Sequence, residues 1–237
     1  MKRFYITLSQ LKEGRLDGEE FNHLKNVMRT KVGDLFLGFC GGDFDYECEV
    51  LSLKKDYATF KVNKEIKNTQ NPNLKIDIFQ ALAKGEKMEL VAQKTTEIGL
   101  STFFPLFVKN CDVKPSTTRV DRLNKIIISA CKQCGRSTIP TVEKVINLTE
   151  AEPLFKTYDL VLFANETETT TRIYDCLEAN KCAQKIAFIV GPEGGWTPEE
   201  IAQIKTSAQS VSLGKRILRT ETAGIYIASI LNDFYRN

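Results

Sequence analysis

The chain has 237 residues, 42% of them hydrophobic, with a formal net charge of +3; that is enough apolar side chain for one large core or two smaller ones, and too much for a disordered chain. No apolar run approaches the length of a membrane-spanning helix, and the start MKRFYITLSQ lacks a signal-peptide h-region, so a cytoplasmic protein without a membrane partner is expected. Seven cysteines without a repeating spacing suit a reducing compartment better than a disulfide framework, and so mild a positive charge means that a nucleic-acid partner must be met by clustered cations.

From Arg3 to about Ile66 the pattern is that of a small β unit. The strand RFYITL precedes EEFNHLKNVMR, where Phe21, Leu24 and Met28 fall at helical spacing. DLFLGFC, DYECEVLSL and YATFKV follow, separated by the turns GGD and KKD, and predict a small antiparallel sheet or barrel. The polar stretch KNTQNPNL, Lys67 to Leu74 with Pro72 inside it, reads as a linker and places the domains at 1–72 and 73–237.

Beyond the linker, strands alternate with helices. KIDIFQAL, TFFPLFV, YDLVLFA, KIAFIV and SVSL read as strands; GEKMELVAQKTTEI, Thr118 to Gln133, TTTRIYDCLEA, PEEIAQIKTSA and ETAGIYIASILNDFY read as helices. This predicts an α/β domain with a mainly parallel sheet, whose ligands bind beyond the strand C-termini. Two loops there stand out. IVGPEGGWTPEEI runs from a strand buried on both faces to a helix start, with Thr197 as N-cap, Pro198 at the first helical position and Glu200 closing a capping box. Its glycines let a ligand approach the main chain, yet it is neither a P-loop nor a dinucleotide fingerprint, and Glu193 would repel phosphate. The expected ligand is uncharged or cationic where it meets the loop. SVSLGKRILRTETAGIYIASIL is the second: strand, Gly214, a basic loop, then Thr220 as N-cap of a helix whose Ala223, Ile227 and Ile230 pack inward.

GPEGG followed by SLG and ILRTETA resembles the SPOUT superfamily of S-adenosylmethionine-dependent RNA methyltransferases, and more narrowly the RsmE family, which methylates N3 of a uridine in 16S ribosomal RNA. HLKNVMRTKVGD, KGEKMELVAQKTTEIGL and YDLVLFANE resemble further segments of that family in the same order. The chain departs from it at Lys132-Gln133-Cys134-Gly135-Arg136, where the family usually has E-Q-S-x-R. The resemblance implies an N-terminal PUA-like β-barrel domain that binds RNA and a C-terminal α/β-knot domain, its chain threaded as a trefoil around S-adenosylmethionine. It also implies a homodimer and, as partner, 16S ribosomal RNA or the small ribosomal subunit. Matching the family's motif assigns the cofactor to Gly191, Pro192, Glu193, Gly194, Gly195, Leu213, Gly214, Ile217, Leu218 and Arg219, with Leu162 and Phe163 on an earlier strand. His23 and Arg29 in the N-terminal motif are candidate RNA contacts.

Arg122, Lys125, Lys132 and Arg136 recur on one side of a helix opposite Leu123, Ile127, Ala130 and Cys134, and form either an RNA-binding stripe or a solvated face. Uracil N3 must lose a proton, so the ring becomes negative and calls for a preorganised cation; Arg136 and Arg219 are the catalytic candidates. Glu193 and Glu221 are open as general base. Cys131 and Cys134, one turn apart, lack two further ligands at suitable spacing, so no metal is expected. Two other functions stay open: a SPOUT methyltransferase acting on another RNA site, and a non-catalytic RNA-binding dimer.

Overall fold

The computed structural model describes residues 1–235, which form two compact units. The first comprises Met1–Asn71 and Ile128–Ile139; the second comprises Pro72–Ile127 and the chain from Pro140 onward. No break in composition marks the 128–139 segment, so a boundary read along the chain does not reveal it.

In the first unit, β1 (Arg3–Tyr5), α1 (Leu8–Glu13), β2 (Arg15–Asp17) and α2 (Gly18–Asn22) precede the longer strands β3 (Leu35–Phe39), β4 (Phe44–Leu53) and β5 (Tyr57–Lys67). They form one sheet in the order β1-β3-β4-β5-β2, antiparallel except for the β1–β3 pair. Phe4 from one edge strand and Leu16 from the other share a buried cluster with Phe36, Val50 and Phe60, so the sheet rolls around a single core. The helix expected over EEFNHLKNVMR is instead α2 followed by a π-helical turn, His23–Val27, which still buries Leu24. Helix α1 had no periodic signal because it is only six residues long, held by a capping box between Thr7 and Gln10.

The second unit contains β6 (Lys75–Ala81), α3 (Lys87–Ile98), β7 (Leu100–Phe107) and α4 (Thr117–Cys134), the last turns of which belong to the first unit. Then come β8 (Thr141–Val142), β9 (Ile146–Asn147), α5 (Leu148–Phe155), β10 (Leu160–Ala164), α6 (Ile173–Ala179), β11 (Lys185–Val190), α7 (Pro198–Ile204), β12 (Gln209–Val211) and α8 (Thr220–Phe234). The sheet order is β12-β10-β11-β6-β7-β8, with β9 beside β7, and every pair is parallel. Strand β11 lies in its interior, which explains the unbroken apolar run KIAFIV. On one face Phe79 stacks on Phe104 with ring centroids 4.4 Å apart and meets Phe155 edge-on at 4.9 Å. On the other, α8 packs on α3 and on β6 and β11. Helix α5 is an element the sequence pattern did not signal; Asn147 and Glu150 cap it reciprocally, and Pro153 inside it hides its helical character.

The strand order has one consequence for function. Because β12 lies beside β10 and β10 beside β11, the C-terminal ends of these three strands adjoin and the loops that leave them converge.

Candidate active site

Those loops surround a cavity of about 900 Å³, within the range of small-molecule sites. Of the residues expected to hold a cofactor, Gly191, Pro192, Glu193, Gly195, Leu213, Gly214, Ile217, Leu218 and Arg219 line it. Leu162 and Phe163 do not: both are fully buried within β10, and the cavity is reached instead by Ala164, Asn165 and Glu166, which follow them. Side chains inside a strand covered on both faces point into core, so only its end is open to a ligand. Gly194 does not line the cavity either. A Cβ there would lie 2.9 Å from the Asn110 carbonyl oxygen, so this glycine is required by packing. Asn110 Nδ2 donates to the carbonyls of Gly194 and Gly195, each at 3.1 Å, and thereby holds the loop; nothing in the sequence around Asn110 marks that role.

The helix caps differ from expectation at one end. Thr197 does cap α7, with Glu200 closing the box. Thr220 is not the N-cap of α8, a position held by Arg219; it is the first helical residue, and its hydroxyl donates to Gly191 O at 2.6 Å. Trp196 lines the cavity and sits edge-on to Phe163, with centroids 5.4 Å apart.

Charge in the cavity is organised by carboxylates with fixed partners. Glu193 accepts from Lys84 N at 3.1 Å and from Lys87 Nζ at 2.8 Å. Burial pushes its carboxyl up, but the Lys87 ammonium and main-chain donors outweigh that and hold it below the ordinary carboxylate range. The charge expected to face a ligand is therefore answered within the protein, and a carboxylate so depressed is a poor proton acceptor. Glu168 is lowered to about 2 by the Thr171 N–H and by the hydroxyl and N–H of Thr170. Arg219 is exposed at the cavity and its guanidinium has no partner among the described residues. Of the other candidate base, Glu221, Oε2 is buried without a partner among the described residues, and the residue does not line the cavity.

The basic stripe is reorganised. Leu123, Ile127, Ala130 and Cys131 form the buried face of α4, Cys131 taking the place expected of Cys134, and burial pushes the Cys131 thiol up to about 12, as for an inert core group. Helix α4 ends at Cys134, and Gly135 turns the chain with φ 87, so Arg136 is not on the helix. Arg136 is 4% exposed and donates from Nε to Thr138 O at 2.9 Å and from Nη2 to Thr138 Oγ1 at 3.1 Å; burial works against its charge. Lys132 is paired with Glu20 at 2.6 Å. Arg122 is paired with Glu89 at 2.7 Å but keeps its side chain 63% exposed, and Lys125 is exposed beside it. In the first unit His23 packs edge-on against Phe4, with its Nδ1 buried and unbonded among the described residues. Arg29 is exposed at φ 48, the one non-glycine with positive φ among the described residues.

Parallel strands whose adjoining loops surround one cavity, in a chain that also carries a rolled β unit, define a two-unit protein whose α/β unit takes a small ligand beyond its strand ends. The profile of the RNA methyltransferase domain family matches residues 69–232, and that of the RNA methyltransferase PUA domain matches residues 16–63. The chain belongs to this RNA methyltransferase family, with the SPOUT α/β-knot fold and an N-terminal PUA-like domain. It is 29% identical to the ribosomal RNA small subunit methyltransferase E of Bacillus subtilis over 98% of its own length and 96% of the relative's. It is 30% identical to the protein of that name from Buchnera aphidicola, over 93% and 87% of the two chains. The crystal structure of a ribosomal RNA small subunit methyltransferase E from Neisseria gonorrhoeae bound to S-adenosyl methionine superposes with a TM-score of 0.86 at 29% identity, covering 99% and 98% of the two chains. Among the described residues no helix is long and apolar enough to cross a membrane.

Proposed function

We propose that the protein is an S-adenosylmethionine-dependent ribosomal RNA methyltransferase that acts on N3 of one uridine in the 16S RNA of the small subunit. The observation that carries this reading is the convergence of the GPEGG and ILRT loops on one cavity, in a chain whose relatives over nearly their whole length bear that methyltransferase name. The cavity suits the cofactor chemically. Ala164, Val190, Leu213, Leu218 and Ala223 supply apolar wall for an adenine, and Glu166 and Glu168 supply negative charge for a sulfonium or an ammonium. Bound S-adenosylmethionine supplies an electrophilic methyl group.

The chain's own part is to bind, orient and stabilise charge. Arg219, exposed at the cavity and uncommitted to any carboxylate among the described residues, stabilises the anion that uracil becomes when N3 loses its proton. Glu193, held ionised by Lys87, fixes the loop. Arg136 is the second cation the motif offers, and it would have to leave Thr138 to meet a substrate. RNA phosphates are met by Arg122 and Lys125 on α4 and by Arg29 of the PUA-like unit. Replacing Arg122 and Lys125 by Ala should weaken RNA binding and lower the magnitude of its salt slope by about one for each phosphate no longer neutralised, with cofactor affinity unchanged. A slope equal to the wild type's would return them to a solvated face.

A symmetric homodimer belongs to the same reading. On the apolar face of α8, Ile227, Ile230 and Leu231 are buried within the chain and Ile225 is half-buried. The exposed apolar groups near the cavity are Ile217 at 82%, Tyr174 at 43% and Tyr226 at 42%. Light scattering at micromolar concentration should give twice the chain mass, and Ile217→Lys with Tyr226→Glu should halve it; a monomeric wild type overturns the dimer.

The reaction is tested by incubating the protein with labelled S-adenosylmethionine and small subunits from a strain lacking the modification, followed by digestion and mass spectrometry. Label on uracil N3 is expected. Label on a ribose oxygen or another base keeps the methyltransferase and rejects the site; no acceptor in any RNA favours the non-catalytic dimer.

A further inference from the structure

One hydroxyl joins the two loops of the cavity. Gly191 opens the loop after β11, and Thr220 ends the loop after β12; Thr220 Oγ1 donates to Gly191 O at 2.6 Å. The same oxygen accepts from Gln80 Nε2 at 2.8 Å, and that amide also donates to Ala81 O at 3.2 Å. A carbonyl takes only donors, so the second bond fixes which end of the Gln80 amide is nitrogen. With the amide N–H pointing at it, the hydroxyl must send its single proton to Gly191. The order of the relay is therefore set from β6, an interior strand of the sheet, outward to both loops.

This arrangement is costly for folding alone. Gln80 is 0% exposed, and its Oε1 is buried without a partner among the described residues. A buried acceptor left unmade is penalised, and an apolar side chain of similar size would avoid that penalty. Helix α8 even carries a glycine opposite it: a Cβ at position 224 would come within 3.1 Å of that oxygen. What the amide does accomplish is to orient Thr220, which lines the cavity, while Gln80 itself does not.

We propose that Gln80 and Thr220 are positioning residues that set the spacing of the two cofactor loops, Gln80 acting wholly through Thr220. The identity of the ligand rests on the methyltransferase reading above; the relay itself does not. Each neutral hydrogen bond removed changes an equilibrium by roughly three- to tenfold.

The test uses the full chain as wild type, Thr220→Val, Thr220→Ser, Gln80→Leu and the double variant that combines Thr220→Val with Gln80→Leu. Amide hydrogen exchange is followed on ligand-free protein, and S-adenosylhomocysteine is titrated calorimetrically. Thr220→Val and Gln80→Leu should both accelerate exchange over residues 193–196 and 214–219 and weaken binding by about tenfold, with no further loss in the double variant. Thr220→Ser should restore both, and Gln80→Leu should unfold at the wild-type urea midpoint, because it removes the orphaned acceptor along with the donor. Loop exchange unchanged in Thr220→Val overturns the proposal. So does acceleration spread over every peptide with a lowered urea midpoint, the mark of a purely structural role. If the wild type itself binds no S-adenosylhomocysteine, the methyltransferase reading fails, and loop exchange still decides the relay.

Discussion

Gly195→Arg should abolish S-adenosylmethionine binding, a loss on the order of 100-fold or more, while the protein stays folded. Gly195 has φ 70, and a Cβ there would stand 3.1 Å from Glu166 Oε1 across the cavity. Left-handed backbone costs an ordinary residue about 1–2 kcal/mol, close to tenfold if the loop must shift to relieve it. The remainder of the effect is steric and electrostatic: the new guanidinium occupies ligand volume and pairs with the Glu166 carboxylate. Gly195→Ala separates these causes. It carries the backbone strain without the bulk, and its Cβ meets only the movable end of a glutamate, so its binding loss should stay near tenfold. Calorimetry on both variants decides; full affinity in Gly195→Arg would remove the loop from the site.

That loop shows how much of the site was legible. GPEGG announced a bare backbone between a buried strand and a capped helix, and Thr197, Pro198 and Glu200 fixed the helix start to the residue, because capping chemistry is local. Strand β11 was legible for the same kind of reason, since burial on both faces leaves an unbroken apolar run. The order β12-β10-β11 was not, because which strands adjoin depends on contacts far apart in the chain. Asn110 and Gln80 escaped notice likewise. Each acts on a loop at least 84 residues away through a single amide, which leaves no pattern in its own neighbourhood. The stripe on α4 loses one member at a single glycine: periodicity carried Arg136 onto the helix, but α4 ends at Cys134 and Gly135 turns the chain away.

Arg219→Ala should lower turnover by about 10²–10³-fold with S-adenosylmethionine affinity and melting temperature nearly unchanged, the selective loss expected when a group acts on charge that develops only in the transition state. The structure makes this variant clean. Arg219 is exposed, its side chain makes no capping bond although it stands at the N-cap of α8, and its guanidinium has no partner among the described residues, so truncation removes no folding contact. Arg136→Ala differs in kind. It deletes charge-assisted bonds to Thr138 from a side chain 4% exposed, and should cost about 2–4 kcal/mol of stability before any effect on chemistry is seen. Single-turnover rates at saturating cofactor, set beside urea midpoints, therefore distinguish the two arginines. A large rate loss at unchanged midpoint for Arg219, with a lowered midpoint for Arg136, assigns the catalytic cation to Arg219. The reverse pattern, an Arg219 variant at wild-type rate and an Arg136 variant that is stable but slow, transfers the role to Arg136, and then its bonds to Thr138 must open during the reaction.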